Sequence, residues 1–189
     1  MNKINILGLI ILCLSTSCKQ NKSSSENAPA DTTKIFPYKD LLLEDIKDVN
    51  ETPYFIYAKS EVTNQKRDST AITLTEFNSL TENFIKKDIS TEQLHVNYKE
   101  STFHDLSTKS ITITYTAIHD TTPLHDVIIL LNDTDNKLSH LYFSNIIHQG
   151  DSTIMEKYMW NTHHNFQITK IIQHPNLPNI EKKLKIVWN

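Results

Sequence analysis

The residues here that could do chemistry are histidines set beside aspartates. Nine histidines are spread over 189 residues, and three are followed directly by aspartate: His104-Asp105, His119-Asp120 and His125-Asp126. An imidazole and a carboxylate can both ligate zinc, or one can orient the other on a metal. The second and third pairs flank Thr121-Thr122-Pro123-Leu124. A loop folding back there would gather His119, Asp120, His125 and Asp126 into one metal site, as in a metal binder or a metal-dependent enzyme. The competing reading is four polar residues at strand ends. His163-His164 adds two imidazoles, but neighbours on a strand point to opposite faces, so sharing a metal would need a turn. Asp133, Asp135 and Asn136 lack the glycine and distal glutamate of an EF-hand and read as a hairpin tip.

What is missing narrows the chemistry further. The chain has two glycines, Gly8 and Gly150. Phosphate-cradling loops need glycine where backbone approaches the ligand or takes positive φ. Dinucleotide and Walker loops, the Gly-x-Ser-x-Gly elbow, His-Glu-x-x-His and Cys-x-x-Cys are all absent. No cofactor is expected. Serine, threonine and carboxylates are too dispersed to nominate a nucleophile or an acid–base pair. A net charge of −3, with lysines scattered among acids, gives no basic patch for nucleic acid. These exclusions favour a non-enzymatic role.

The elements that would carry these residues read as α+β. Pro37–Asp48 allows a short helix or a packed turn, through Leu41, Leu42, Leu43 and Ile46. Tyr54–Val62 reads as a strand, and a second short strand ends near Ile72. Thr73-Leu74-Thr75-Glu76 fits a capping box, and Phe77, Leu80 and Phe84 follow as one apolar stripe, which predicts a helix over about 74–87. Thr91–Leu106 is ambiguous between partial strand and irregular chain. Ser110–Ala117 alternates strictly, as a half-buried strand does. Val127–Leu131, Leu138–Ile147, Thr153–Trp160, Phe166–Ile172 and Leu184–Trp188 continue the series, the last two joined across a loop over Pro175–Asn179. Consecutive strands with short links make an antiparallel β-sheet meander, with one main helix packed on one face. Tyr54, Tyr57, Tyr115, Tyr142, Tyr158, Trp160 and Trp188 either fill that core or line an apolar groove under the helix.

The start of the chain carries an address. Lys3 precedes the apolar run Ile4–Leu14, which is too short to span a hydrocarbon core of about 30 Å. Small residues Ser15, Thr16 and Ser17 lead to Cys18, the order of a secretory signal. Leu14-Ser-Thr-Ser-Cys18 resembles the looser lipoboxes of Bacteroidota, in which the cysteine is lipidated and the preceding peptide removed. Usual lipoboxes place an aliphatic residue three before the cysteine; here that residue is Ser15. Residues 1–17 are therefore expected to be a signal peptide, and Cys18 the lipidated first residue. Cys13 leaves with the signal, so no disulfide is available and the domain must rest on packing. Lys19–Thr33 has no large apolar side chain and reads as a flexible tether. Residues 18–34 form the anchor and tether, and 35–189 one α+β domain.

The strand segments Tyr158-Met159-Trp160, Phe166-Gln167-Ile168 and Leu184-Lys185-Ile186-Val187-Trp188 resemble those of a group of uncharacterised, membrane-anchored Bacteroidota lipoproteins. The helix opening Leu74-Thr75-Glu76-Phe77-Asn78 and the strand Ile111-Thr112-Ile113-Thr114-Tyr115 are similar too. The resemblance spans roughly residues 50–189 and implies a shared fold and envelope location, with no catalytic residue. In such lipoproteins acidic residues just after the cysteine resemble a surface-export signal. The first acid here is Glu26, which implies an outer-membrane protein facing the periplasm. The leading expectation is a lipid-anchored binding or assembly module. Its partners would be the membrane, through Cys18, and an envelope protein. The alternatives are a carrier of a lipid or other small apolar ligand in a helix–sheet cavity, and the metal protein of the His-Asp pairs.

Overall fold

The computed structural model describes residues 35–189, so the expected signal peptide, Cys18 and the tether lie outside the described residues. Helix α1 (Tyr38–Glu51) is followed by the hairpin β1 (Ile56–Val62) and β2 (Asp68–Ala71). Helices α2 (Leu74–Ile85) and α3 (Glu92–His95) then carry the chain to the far edge of the sheet. From there β3 (Tyr98–Asp105), β4 (Ser110–Ala117), β5 (Asp126–Asn132), β6 (Leu138–Gln149), β7 (Ser152–Asn161), β8 (Asn165–His174) and β9 (Leu177–Trp188) return as a meander. The result is one nine-stranded antiparallel sheet in the order β2-β1-β9-β8-β7-β6-β5-β4-β3. The α+β expectation, a meander with a main helix against one face, describes this fold.

Helix α2 begins where the capping box requires. Glu76 N donates to Thr73 Oγ1 at 3.2 Å, and Thr73 N donates to the Glu76 carboxylate at 2.8 Å. Two of the first turn's unpaired amide groups are thereby satisfied. Its stripe Phe77, Thr81 and Phe84 is buried. Helix α1 is longer than its sequence suggests and buries Tyr38, Leu42, Asp45, Ile46 and Val49. It lies beside α2, where Asn50 and Asn78 exchange amide hydrogen bonds of 3.0 and 2.7 Å.

Strand registers separate the two faces of the sheet. One continuous row reads Thr102, Ile113, Ile129, Leu141, Trp160, Phe166, Ile186, Ala58 and Thr70 from edge to edge. Its centre is the core: Ile129, Leu141, Trp160, Phe166 and Ile186 are wholly buried. The row one residue away, on the opposite face, reads Ser101, Thr114, Ile128, Tyr142, Met159, Gln167, Lys185, Lys59 and Ser69. Both helices pack on the first face, and no helix of the described residues covers the second.

Two segments depart from expectation. Thr91–Leu106 holds α3 and the full edge strand β3, which its partner β4 organises along eight registered pairs. Strand β9 begins at Leu177, inside the expected loop, because β8 supplies a ladder down to His174–Leu177. Charged Glu181, Lys182 and Lys183 are extended by that pairing rather than by an apolar pattern of their own. Gly150, at φ +59° in the β6–β7 turn, sits where glycine is least strained.

Candidate functional site

Among the described residues, one group of His, Cys, Asp and Glu brings its ligand atoms within 4.8 Å: Asp45, Asp48 and His163. Asp45 interrupts the apolar stripe of α1 and is only 2% exposed. A buried carboxylate needs compensating donors, and the β7–β8 turn supplies them. Trp160 Nε1 donates to Asp45 Oδ2 at 2.6 Å. The His163 amide donates to both carboxylate oxygens at 3.1 and 3.2 Å. His163 Nδ1 stands 2.9 Å from Oδ1. The turn aims that amide inward by holding His163 at φ +63°. On the next turn of α1, Asp48 accepts from the Tyr54 hydroxyl at 3.2 Å and from Thr52 Oγ1 at 3.3 Å.

This cluster clamps α1 to the sheet. Both Asp45 oxygens are turned toward indole, amide and imidazole donors, and Asp48 toward two hydroxyls, so a metal would have to displace contacts already made. A shallow depression of about 220 Å³ beside it is lined by Leu41, Glu44, Lys137, Leu138 and Thr162. Sequence reasoning treated His163 only with His164 and passed over Asp45. The available signal was one acid on the Leu42-Ile46-Val49 stripe.

The four residues expected to form a metal site are not brought together. His119 and Asp120 are exposed in a tight turn where Thr122 donates to the His119 carbonyl through its amide at 3.1 Å and its hydroxyl at 2.7 Å. Asp126 starts β5 and His125 immediately precedes it, with His125 Nδ1 2.7 Å from Asp126 Oδ2. Asp126 also accepts from Ser144 Oγ at 3.0 Å and Thr116 Oγ1 at 3.2 Å. Serine, histidine and aspartate thus meet, but in an order unlike a hydrolytic triad. The serine proton points at the carboxylate, not at an imidazole that could accept it. His104 leaves its neighbour and pairs with Asp133 Oδ1 at 2.9 Å. Asp105 caps its hairpin instead, accepting from Ser107 N and Oγ at 2.8 and 2.6 Å, which hold its pKa down at about 2.

A second buried acid, Glu156, lies under the end of α2. Lys170 Nζ reaches it at 2.6 Å and the Tyr158 hydroxyl donates to it at 2.9 Å. Burial raises the Glu156 pKa, but these two hydrogen bonds and the charges of Lys170 and Lys87 outweigh it and leave the carboxyl below its ordinary value. Tyr158 is correspondingly pushed up, by burial first and by Glu156 second. Lys87 lies over the Tyr158 ring at 4.2 Å, and its own pKa is lowered by desolvation.

The space between helices and sheet, where a carried ligand would lie, is occupied by rings. Phe84 meets Trp160 and Phe166 at centroid distances of 5.1 Å each, and Trp160 stacks on Phe166 at 5.0 Å. Trp188 closes against Phe77 and Trp160 at 5.6 Å. Of the seven aromatics expected to line a core or groove, Tyr115, Tyr158, Trp160 and Trp188 are buried here, while Tyr57 and Tyr142 stand on the other face.

That other face offers the larger surface. Its apolar stretch Ile128-Tyr142-Met159 runs into Gln167 and the cross-strand pair Lys185–Lys59. A groove of about 330 Å³ there is lined by Lys59, Lys183, Lys185, Arg67, Glu61 and Gln167, among others. Arg67 pairs with Glu61 at 3.1 Å, and Lys183 with Glu181 at 3.3 Å. Lys59 and Lys185 face each other without an ion-pair partner among the described residues, an arrangement that costs stability in isolation. Among the described residues no helix is long and apolar enough to cross a membrane. The chain matches no protein-family model and no curated protein.

Proposed function

We propose that this chain is a lipid-anchored envelope protein, held in the outer membrane through Cys18 and facing the periplasm, and that its domain is a non-enzymatic binding or assembly module. The observation that carries the binding reading is the uncovered sheet face. A sheet wide enough for nine strands normally hides both faces or keeps the open one thoroughly polar. Here the open row keeps Ile128, Tyr142 and Met159 at its centre, and beyond them a Lys185–Lys59 pair with no ion-pair partner among the described residues. Apolar and aromatic groups rimmed by lysine suit a partner that brings an apolar patch bordered by acidic groups. The acids that could have served chemistry, Asp45, Asp126 and Glu156, are each committed to protein donors.

Two measurements test the two halves. Full-length chain should partition with membranes and take up a fatty-acid label, and Cys18→Ala should lose both; an unlabelled wild-type chain sinks the anchor. A photo-crosslinking residue at Met159, on the open face, should trap one envelope partner that the same residue at Leu43, exposed on α1, does not. Equal labelling from both positions sinks the binding face.

A further inference from the structure

The two edges of the sheet are unlike. Strand β2 is four residues long, whereas β3 is eight residues long and exposed on both faces over the six from Lys99 to His104. Among the described residues nothing pairs beyond β3 in the sheet order. A long, straight, proline-free edge is a template for another strand unless something blunts it. Six large apolar side chains of the described residues are more than half exposed, and four of them gather here: Val96 at 69%, Phe103 at 66%, Leu106 at 76% and Ile118 at 55%.

Backbone parity fixes which groups are free. The Asn97 carbonyl accepts from Ile118 N at 2.8 Å, so odd-numbered residues of β3 turn toward β4. In an antiparallel ladder successive residues alternate in direction. Glu100, Thr102 and His104 therefore present their N–H and C=O groups outward.

We infer that β3 is a self-association edge: two copies pair their β3 strands antiparallel about a two-fold axis at Thr102, fusing the sheets. In that register Thr102 lies opposite its own copy, and Glu100 lies opposite the partner's His104, giving about six main-chain hydrogen bonds. The side chains select the same register. Lys99 meets the partner's Asp105, an opposite-charge pair that occurs twice by symmetry. Opposite charges directly across a ladder stabilise it. Moving the axis to Ser101 would set Lys99 against Phe103 and Glu100 against Thr102. Moving it to Phe103 would set Glu100 against Leu106. Neither alternative pairs unlike charges. The Thr102 register also brings the two Phe103 rings diagonally together across the axis, on the open face, where each is otherwise exposed. A second copy of this chain, rather than an unrelated strand, is the occupant because the edge is complementary to itself.

The test uses full-length chain. Thr102→Cys places two thiols on residues whose Cα atoms would lie about 5.5 Å apart, within disulfide reach. His104→Cys would sit about 14 Å from its own copy, four residues out of register. Membranes or extracts carrying each variant are oxidised, with wild type as the control for Cys13 and Cys18. A disulfide dimer for Thr102→Cys and none for His104→Cys is the expected result. No dimer from Thr102→Cys, or equal dimer from both, overturns the inference. Thr102→Pro gives a second readout, because it deletes only an outward N–H, which edge strands tolerate. Light scattering on detergent-solubilised protein should show wild type at twice the mass of Thr102→Pro, with unchanged circular dichroism; equal masses overturn the pairing. The pairing does not depend on the anchor. Repeating the cross-link in a Cys18→Ala background separates them, since membrane partition reports on Cys18 and the disulfide on β3.

Discussion

Trp160 and Met159 are neighbours in sequence and sit in rows that cross the same nine strands on opposite faces. The Trp160 row is sealed by α1 and α2, and its rings interlock at 5.0–5.6 Å. No helix of the described residues lies over the Met159 row, and Met159 itself is 37% exposed. One residue of register separates the face packed under helices from the face that no helix of the described residues covers. The two-residue side-chain period lets a single strand serve both faces, provided the register never slips.

The sharpest way to break that comparison is to truncate the two neighbours. Trp160→Ala should cost about 3–5 kcal/mol, since it removes a wholly buried ring and leaves a cavity. Met159→Ala should stay within about 0.5 kcal/mol, and urea unfolding of both checks the contrast. Equal losses would mean that the open face is also core.

The clamp on the sealed side comes next. Asp45→Ala strands the Trp160 indole N–H and the His163 amide, and should cost about 1–3 kcal/mol. Asp126→Ala, whose three donors are closer to solvent, should cost under about 1 kcal/mol by the same unfolding measurement.

Acid should also attack the sealed side first. The Glu156 pKa is lower folded than unfolded, so the unfolded chain binds the proton more readily. Its contribution is therefore complete above the ordinary glutamate value of 4.5 and is lost as pH falls through the folded pKa. Glu156→Gln should flatten that part of an acid-unfolding curve, and an unchanged curve would remove Glu156 from the account.

The smallest expected effect is on the open side. Lys185→Glu relieves a like-charge pair and should raise stability by about 0.2–1 kcal/mol. The same change should abolish the crosslink from Met159, so stability and binding would move in opposite directions.

Much of the fold was legible. Strand β4 occupies Ser110–Ala117, the bounds its alternation suggested, and α2 starts at the capping box of Thr73 and Glu76. These features depend on contacts a few residues apart, which a linear pattern records. Helix α1 was blurred because Asp45 breaks its stripe, and its burial makes sense only with donors 115 and 118 residues away. The sequence pattern marks β9 only from Leu184 and puts Pro175–Asn179 in a loop, because Glu181, Lys182 and Lys183 form a strand only when β8 supplies the ladder.

The chemistry-bearing residues divide along the same line. The sequence alone set which residues alternate, where a helix can begin, which phosphate-binding loops cannot exist, and the apolar run Ile4–Leu14 ahead of Cys18. Only the tertiary structure decided that His119 and Asp120 stay in a turn apart from His125 and Asp126, that Asp45 meets Trp160, and that the helices of the described residues all leave one sheet face open. Adjacent pairs in sequence say which groups are available; the register of nine strands decides which of them meet, because each contact is made across the sheet rather than along the chain.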